Sequence, residues 1–265
     1  MNPVDNVKKI SHRIAPNLYA QLQERWTRHR INKITQAIIK RNGLKVLAGP
    51  FAGMLYVAEP GGSSLPKLLG SYETELHQWV TAIINTDYRK IINVGCAEGY
   101  YAVGLALKVP ETRVFAFDID PRPRQLCEKM AEMNGVSERV VVRGECTCEG
   151  LDALLDDRSL VICDCEGYEL ELLDPGRVPN LRVSDVLVEL HDFIDRSISP
   201  TIISRFADTH DISIISSIER DPSTYPALET FNDWDRHVAV AEFRDEQMQW
   251  AFMRAKHSAS SASSA

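Results

Sequence analysis

From residue 90 onward, short apolar runs alternate with amphipathic stretches that have helical spacing. The apolar runs have the length and the Val, Ile and Phe content of buried strands. Strands that alternate with helices predict right-handed crossovers and a mostly parallel sheet, with five strand–helix units followed by two closing strands. The predicted strands are Lys90–Val94, RVFAFDID (113–120), RVVVRGEC (139–146), SLVICDCEG (159–167), DVLVELHDF (185–193), DISIISSI (211–218) and QWAFMRAK (249–256).

Residues 1–70 follow a different pattern and predict a helical and irregular extension. Residues 16–42 indicate one helix with an apolar stripe, and residues 46–72, rich in Gly, Pro and Ser, indicate an irregular segment or a small hairpin. Residues 71–86 predict a second helix with Ser71 as its N-cap, at the start of a domain that runs to residue 256. The low-complexity residues 257–265 predict a disordered tail. The stripe consists of Leu18, Leu22, Trp26, Ile31, Ile34 and Ile38.

The turn after the first predicted strand has the composition of a cofactor site. Gly95 lacks a Cβ, which permits a sharp turn and a close approach of ligand, and Gly99 lets the next helix pack closely on the sheet. A simple tight turn needs the same glycines, so they are weak evidence alone. Asp118 adds weight, because a carboxylate at the end of the next strand can accept hydrogen bonds from both hydroxyl groups of a ribose.

The acidic residue in this turn helps to distinguish between nucleoside cofactors. NAD requires the pattern Gly-x-Gly-x-x-Gly, whereas positions 97 and 98 here are Ala and Glu. The Glu98 carboxylate either points to solvent or faces the ligand, where it would repel a pyrophosphate and attract a cation. S-adenosylmethionine (SAM) carries a sulfonium, an ammonium and a ribose, and it has no phosphate. The turn therefore predicts SAM.

Four blocks of the chain resemble class I SAM-dependent methyltransferases, and among these the FkbM family. NVGCAEGYYAVGLA and VFAFDIDP are similar to the first two SAM motifs, LVICDCEGYELELL to the Asp-x-Glu-Gly-x-Glu block, and VLVELHDF to the fifth strand with its Glu-x-His ending. GPFAGMLY and PKLLGSYETELH resemble the lead-in of some members, so the resemblance covers about residues 50–256. The predicted SAM-binding residues are Asn93, Gly95, Cys96, Glu98, Gly99, Asp118, Ile119, Glu145, Cys146 and Asp164.

The resemblance implies a Rossmann-like class I methyltransferase fold with SAM as cofactor. It also implies methyl transfer to a hydroxyl group, often of a sugar, a polyketide or another small metabolite. The chain departs from the family pattern at two positions, where many members have Asp in place of Asn93 and Asn in place of Ala97. The resemblance therefore leaves open which residue holds the methionine ammonium, with the Asn93 carbonyl and the Gly95 region as plausible contacts.

Acidic side chains and a histidine cluster at the predicted ends of the fourth and fifth strands. Alternation along a strand places Asp164 and Glu166 on one face, and likewise Glu189 and His191. Methyl transfer requires a base for the acceptor proton, and a neutral imidazole suits that task near neutral pH. We therefore predict His191 as general base, oriented, like the acceptor hydroxyl, by Asp164 or Glu166. Glu169 is predicted either to cap the following helix or to take part in catalysis, and His191 could instead have a structural role.

The acidic cluster and the cysteines raise the question of a metal ion. The same acids could hold Mg²⁺, but the prediction is that no metal takes part. The CTC and CDC motifs lie at the ends of the third and fourth strands, which should lie about 14 Å apart, so their cysteines should not bind one zinc ion together. Cys163 and Cys165 are therefore expected to be small buried residues.

Composition and charge narrow the possible partners. The 265-residue chain has a net charge of −7, yet residues 1–45 hold ten Lys or Arg and two acids. The first helix could therefore pack on the domain or dock an anionic partner. The leading prediction is a small-molecule or glycan acceptor, with nucleic acid unfavoured and an oligomer possible. The alternatives are an RNA methyltransferase that uses this basic helix and a non-catalytic SAM-binding protein. The six scattered cysteines and the lack of a membrane-length apolar run favour the cytoplasm.

Overall fold

The protein, seen in a computed structural model that describes residues 16–57, 64–244 and 246–256, is built around one central sheet. Its strands are β1 (Lys90–Val94), β2 (Arg113–Phe117), β3 (Val140–Arg143), β4 (Ser159–Cys163), β5 (Asp185–Leu190), β6 (His210–Ser216) and β7 (Gln249–Ala255). Within the described residues these strands form a seven-stranded sheet in the order β3-β2-β1-β4-β5-β7-β6. A seven-stranded, mostly parallel sheet with helices confirms the predicted Rossmann-like α/β fold class.

The strand directions agree with the prediction from sequence. Strands β1 to β5 pair in parallel, whereas β7 runs antiparallel between β5 and β6. The parallel strands read as continuous apolar runs because helices cover both of their faces, and all five residues of β4 are buried. The chain reverses its strand order between β1 and β4, which opens a crevice at the carboxyl ends of these two strands.

Helices cover the sheet on both sides. One face of the sheet packs in a core that includes Ile91 and Leu105, and the other in a core that includes Leu151 and Ile202. The described α-helices are α1 (Pro16–Asn42), α2 (Ser64–Leu69), α3 (His77–Ile84), α4 (Tyr100–Lys108), α5 (Pro121–Met133), α6 (Cys148–Leu154), α7 (Glu169–Leu172), α8 (Ile198–Phe206) and α9 (Asp233–Val240).

The first helix has the predicted bounds, but its apolar stripe is only partly buried. Ile31, Ile34 and Ile38 are buried beside residues of α2 and α9. Trp26, by contrast, is 50% exposed and lies beside Trp234, which is 59% exposed, with the two rings tilted by 48°. The predicted stripe members Leu18 and Leu22 lie outside the residues whose side chains are described, as does the predicted tail at 257–265.

The segment before the first strand differs from the prediction. Residues Ser64–Leu69 form the helix α2 in the stretch predicted to be irregular, and a single antiparallel bridge joins Lys45 to Leu55. Helix α3 begins at His77, after a 3₁₀ turn, and the Ser71 hydroxyl donates to the Pro66 carbonyl instead of capping a helix. The N-cap prediction was wrong because α3 begins six residues later, with Leu76 as its N-cap, and Ser71 is fully buried with its hydroxyl bonded to Pro66.

Residues in the predicted extension share a core with the sheet. Val46, Phe51 and Tyr56 are buried in the same cluster as Ile91 of β1. The domain boundary near residue 70 stays a prediction. Within the described residues, no helix combines the length and apolar character needed to cross a bilayer.

The burial of α1 leads to a stability prediction. Ile34→Ala should lower the free energy of unfolding by about 2–5 kcal/mol, because Ile34 is 2% exposed and the lost side chain leaves a cavity. Gln36→Ala, on the exposed face of the same helix, is the matched control and should change it by only about 0.5 kcal/mol. Chemical denaturation of both variants measures the difference. If Ile34→Ala lowered the free energy of unfolding as little as Gln36→Ala does, α1 would contribute little to the stability of the domain.

Candidate cofactor and acceptor site

The turn after β1 comes very close to the backbone that follows β4. Gly95 has φ 77°, and a Cβ built on it would lie 1.6 Å from the carbonyl oxygen of Asp164. Gly99 has φ 95°, and its Cβ would lie 2.7 Å from the Sγ of Cys127 on α5. Both positions therefore need glycine for conformation and for space. Cys96, between them, is 4% exposed, and its N–H donates to the Phe117 carbonyl.

Asp118 lies beside this turn and ties it in place. Its Oδ2 accepts the Ala97 N–H at 3.0 Å, and its Oδ1 accepts the Asp120 N–H at 2.9 Å. The side chain is half-buried, and each carboxylate oxygen has a second lone pair for a ligand hydroxyl. Ile119 is 82% exposed, so its side chain can cover a flat ring above the strand end. At the end of β3, Glu145 is exposed and Cys146 is buried.

Glu98 is held by the protein and does not face solvent freely. Its Oε1 accepts hydrogen bonds from Lys67 Nζ at 2.6 Å and from the Tyr56 hydroxyl at 2.7 Å. Burial by itself would raise the pKa of Glu98, but the charge and hydrogen bond of Lys67 keep that pKa below its usual range. Glu98 is thus an ionised partner of Lys67, and sequence reasoning missed Lys67 because it lies 31 residues away.

A narrow cavity of about 40 Å³ lies at the carboxyl ends of β1 and β4. Asn93 and Tyr100, which line it, are 2% and 4% exposed. Within the described part of the chain, the Asn93 Oδ1 and Tyr100 Oη atoms have no hydrogen-bond partner. Buried polar atoms without a partner are costly and rare, which indicates that a polar ligand completes them. The amino-acid end of SAM has a carboxylate and an ammonium group that can form hydrogen bonds with these atoms.

A larger cavity of about 350 Å³ adjoins the first one and shares Tyr72, Asp164 and Glu189 with it. Two exposed phenylalanines, Phe193 and Phe243, line it together with acidic side chains. The cavity lies over the ends of β4 and β5, where the acceptor site is predicted. Its ionisable lining residues are Asp164, Glu166, Glu189, His191, Glu242, Arg244 and Glu246.

His191 lies between two carboxylates. Its Nδ1 is 2.7 Å from Glu169 Oε1, and its Nε2 is 3.4 Å from Asp164 Oδ1. Glu169 is fully buried, and its carboxylate also accepts the N–H groups of Cys165 and Gly167. Glu169 therefore fixes both the turn after β4 and the orientation of the imidazole, a contact that the last Glu of the Asp-x-Glu-Gly-x-Glu block could have indicated.

The charge of His191 differs from the sequence expectation of a neutral imidazole. Burial by itself would lower the pKa of His191, but the hydrogen bonds and charges of Asp164 and Glu169 raise it to about 10. The ligand-free protein thus holds an imidazolium at neutral pH. Glu166 is exposed with φ 49°, and among the described contacts the carboxylates at the imidazole are Asp164 and Glu169.

A largely buried ion network contributes lining residues to both cavities. Arg244 binds Glu73, Glu189 and Glu242, and the Tyr101 hydroxyl also donates to Glu73. Glu73 has φ 46° and is 2% exposed, and burial raises its pKa and that of Glu189. Sequence reasoning missed this network because its members lie up to 171 residues apart.

One group of side chains in the described residues has the spacing of a metal site. Asp164, Glu189 and His191 offer ligand atoms that all lie within 4.8 Å of one another. The Arg244 guanidinium, paired with Glu189, would oppose a cation there. Cys163 is 1% exposed and Cys165 is half-buried, with their Sγ atoms 3.4 Å apart.

The seven-stranded sheet and the glycine turn form a Rossmann-like α/β fold with a crevice at the carboxyl ends of its strands. Residues 70–166 match the model of a family described as O-methyltransferase. Ribosomal protein L11 methyltransferases from Escherichia coli O8 (strain IAI1) and Pectobacterium carotovorum subsp. carotovorum (strain PC1) are 38% identical over 63 residues, 24% of this chain. The match spans only 21% of the length of these relatives.

Solved structures with low sequence identity resemble most of the chain. An O-methyltransferase from Bacillus cereus in complex with SAH is 11% identical, with a TM-score of 0.45, over 85% of this chain and 91% of that one. The O-methyltransferase TomG from Streptomyces achromogenes, in complex with SAM, is 14% identical, with a TM-score of 0.45, over 85% and 89%. Such likeness concerns the fold alone.

Proposed function

We propose that this protein is a SAM-dependent methyltransferase that methylates a hydroxyl oxygen of a small molecule or a sugar. The observation that carries the proposal is the pair of adjoining cavities at the carboxyl ends of the strands. One contains the glycine turn and buried polar atoms that have no partner among the described residues, and the other contains His191 and Asp164. The match of residues 70–166 to an O-methyltransferase family supports the reaction type.

The cofactor residues follow the ends of β1 to β3. Asp118 binds the ribose hydroxyls, Ile119 covers the adenine, and Glu145 and Cys146 border the ring. The backbone of Gly95, Cys96 and Gly99 lies against the cofactor, while Asn93 and Asp164 face its methionine end. Glu98 acts on the cofactor site indirectly, because its ion pair holds Lys67 beside the narrow cavity. When bound, SAM supplies an activated methyl group on its sulfonium.

The acceptor residues lie over β4 and β5. His191 Nε2 accepts the proton of the acceptor hydroxyl after it has released its own, and Glu169 keeps the imidazole oriented through Nδ1. Asp164 and Glu166 bind the hydroxyl group or its neighbours. With SAM bound, His191 would lie in a site with an added positive charge, which would lower its pKa and favour a free Nε2.

The charge of the acceptor cavity favours a small acceptor over RNA. Five carboxylates line the cavity, against Arg244 and His191 as cations. A phosphate backbone would be repelled there, because like charges in a partly buried site interact strongly. Turnover of an acceptor distinguishes this enzyme from a SAM-binding protein without activity, and labelled SAM in fractionated cell extract would reveal the methylated product. We also propose that the protein belongs to the FkbM family and acts in the cytoplasm.

The cofactor assignment leads to a binding prediction. Asp118→Ala should weaken SAM binding by more than about tenfold, because it removes the ribose acceptor and one support of the turn. Isothermal titration calorimetry with SAM and with NADH measures this effect. Asp211→Ala, on β6 outside the proposed site, is the control and should leave SAM affinity unchanged. A wild-type protein that binds NADH but not SAM would refute the proposal.

A further inference from the structure

Lys67 is a buried cation that lies beside the cofactor cavity although it comes from α2, outside the strand–helix units. Its side chain is 8% exposed and ion-pairs with Glu98 at 2.6 Å. Its Nζ also lies 4.7 Å from the centre of the Tyr72 ring and 5.8 Å from that of Tyr100. A lysine is rarely buried without a specific reason, and a single carboxylate takes only part of the capacity of an ammonium with three N–H donors.

The narrow cavity combines this cation with two buried polar atoms for which the described part of the chain offers no hydrogen-bond partner. Lys67, Asn93 and Tyr100 all line it. Tyr100 can donate, since burial and the charges of Glu73 and Glu98 raise the pKa of its hydroxyl. Asn93 Oδ1 can only accept. These three residues thus offer two donors and one acceptor. The carboxylates of Glu73, Asp164 and Glu189 also line the cavity, where Arg244 pairs with Glu73 and Glu189.

The size of the cavity matches a small charged head group. A cavity needs about 10–15 Å³ to hold one water molecule, so a cavity of about 40 Å³ has room for roughly three groups of that size. An α-amino acid head group carries a carboxylate that accepts hydrogen bonds and an ammonium that donates them. Lys67 and Tyr100 complement the carboxylate, and Asn93 complements the ammonium.

We propose that Lys67 Nζ and Tyr100 Oη bind the carboxylate of the methionine end of SAM, while Asn93 Oδ1 accepts a hydrogen bond from its ammonium. This inference rests on the proposed function. Glu98 is a positioning residue that holds Lys67 at the cavity. The lead-in segment before β1 is thereby part of the cofactor site, and Asn93 takes the contact that the family resemblance left open.

Two nucleosides related to SAM allow the contribution of the amino-acid head group to binding to be measured separately. S-adenosylhomocysteine retains the amino-acid end, whereas 5′-methylthioadenosine has the same nucleoside without it. In calorimetry with the full chain, Lys67→Met should weaken binding of S-adenosylhomocysteine by about ten- to a hundredfold, the range for a hydrogen bond to a charged group, and leave methylthioadenosine affinity unchanged. Lys67→Arg, which keeps the charge, should recover part of the loss.

Tyr100→Phe tests the same contact without disturbing the fold. It removes a hydroxyl that has no partner among the described residues, so the melting temperature should stay the same while S-adenosylhomocysteine affinity falls by about tenfold. Lys90→Met is the control, because Lys90 is an ion-paired lysine at the opposite end of β1. It should leave the affinity for both ligands unchanged.

The outcomes separate the two proposals. Equal weakening of both ligands in Lys67→Met and Tyr100→Phe would show a structural role and overturn the inference, as would unchanged affinity for S-adenosylhomocysteine. A folded wild-type protein that binds neither ligand would instead overturn the proposed function. Selective loss of S-adenosylhomocysteine binding in both variants supports the assignment.

Discussion

His191→Ala should slow methyl transfer by about 10²–10⁴-fold, the usual contribution of a positioned general base, and leave SAM affinity nearly intact. The separation is expected because His191 lines the acceptor cavity and not the narrow cofactor cavity. Single-turnover kinetics with the acceptor, or slow hydrolysis of bound SAM as a surrogate, measures the rate. His237→Ala, on the exposed face of α9, is the control and should keep the wild-type rate.

The pH profile identifies the base more sharply than the loss of rate does. Since the pKa of His191 is about 10 in the ligand-free protein, its neutral form increases about tenfold per pH unit below that value. The wild-type rate should therefore rise with pH through the neutral range, with a midpoint below 10 because the cationic cofactor lowers the pKa. Glu169→Gln removes one charge from the imidazole and should move the midpoint to lower pH.

A flat profile across this range, together with an active His191→Ala enzyme, would remove His191 as the base. Asp164 or Glu166 would then take the proton, because both line the same cavity. The group formed by Asp164, Glu189 and His191 makes a chelator the next test, since their ligand atoms lie within 4.8 Å of one another. Loss of activity on chelation, restored by a divalent ion, would indicate metal assistance.

Gly95→Ala should disrupt the fold at the site and abolish tight SAM binding. The new Cβ would lie 1.6 Å from the Asp164 carbonyl oxygen, so either β1 or the turn after β4 must move. The φ of 77° adds conformational strain for any residue with a Cβ. Together these should lower the free energy of unfolding by about 3 kcal/mol or more and SAM affinity by more than about tenfold.

Gly53→Ala separates the strain from the clash. Gly53 has φ 90°, and a Cβ on it would meet no atom within 4 Å. The free energy of unfolding of the Gly53→Ala variant should therefore fall by only about 1–2 kcal/mol, as expected for left-handed backbone strain alone, and its SAM affinity should stay the same. Denaturation and calorimetry of both variants measure these effects. Equal losses for the two glycines would mean that the turn absorbs the extra methyl group and that close approach is not required at Gly95.

The sequence by itself determined the alternation of strands and helices from β1 to β6 and the residues at the first turn. Continuous apolar runs such as β1 identify strands buried on both faces, because the pattern depends only on local periodicity and on the covering of the sheet. Gly95, Gly99 and Asp118 were predicted for the same reason, since short spacing around one strand end indicates them. The helix at residues 16–42 was likewise marked by its own stripe.

Only the tertiary structure decided the partners and charges of the site. Glu98 binds Lys67, Glu169 binds His191 from 22 residues away, and Arg244 joins Glu73 to Glu189. Sequence spacing carries little information about such contacts, because side chains distant along the chain meet only after the sheet has formed. The pKa of His191 follows from those contacts, since two carboxylates favour an imidazolium that an isolated histidine would not keep at neutral pH.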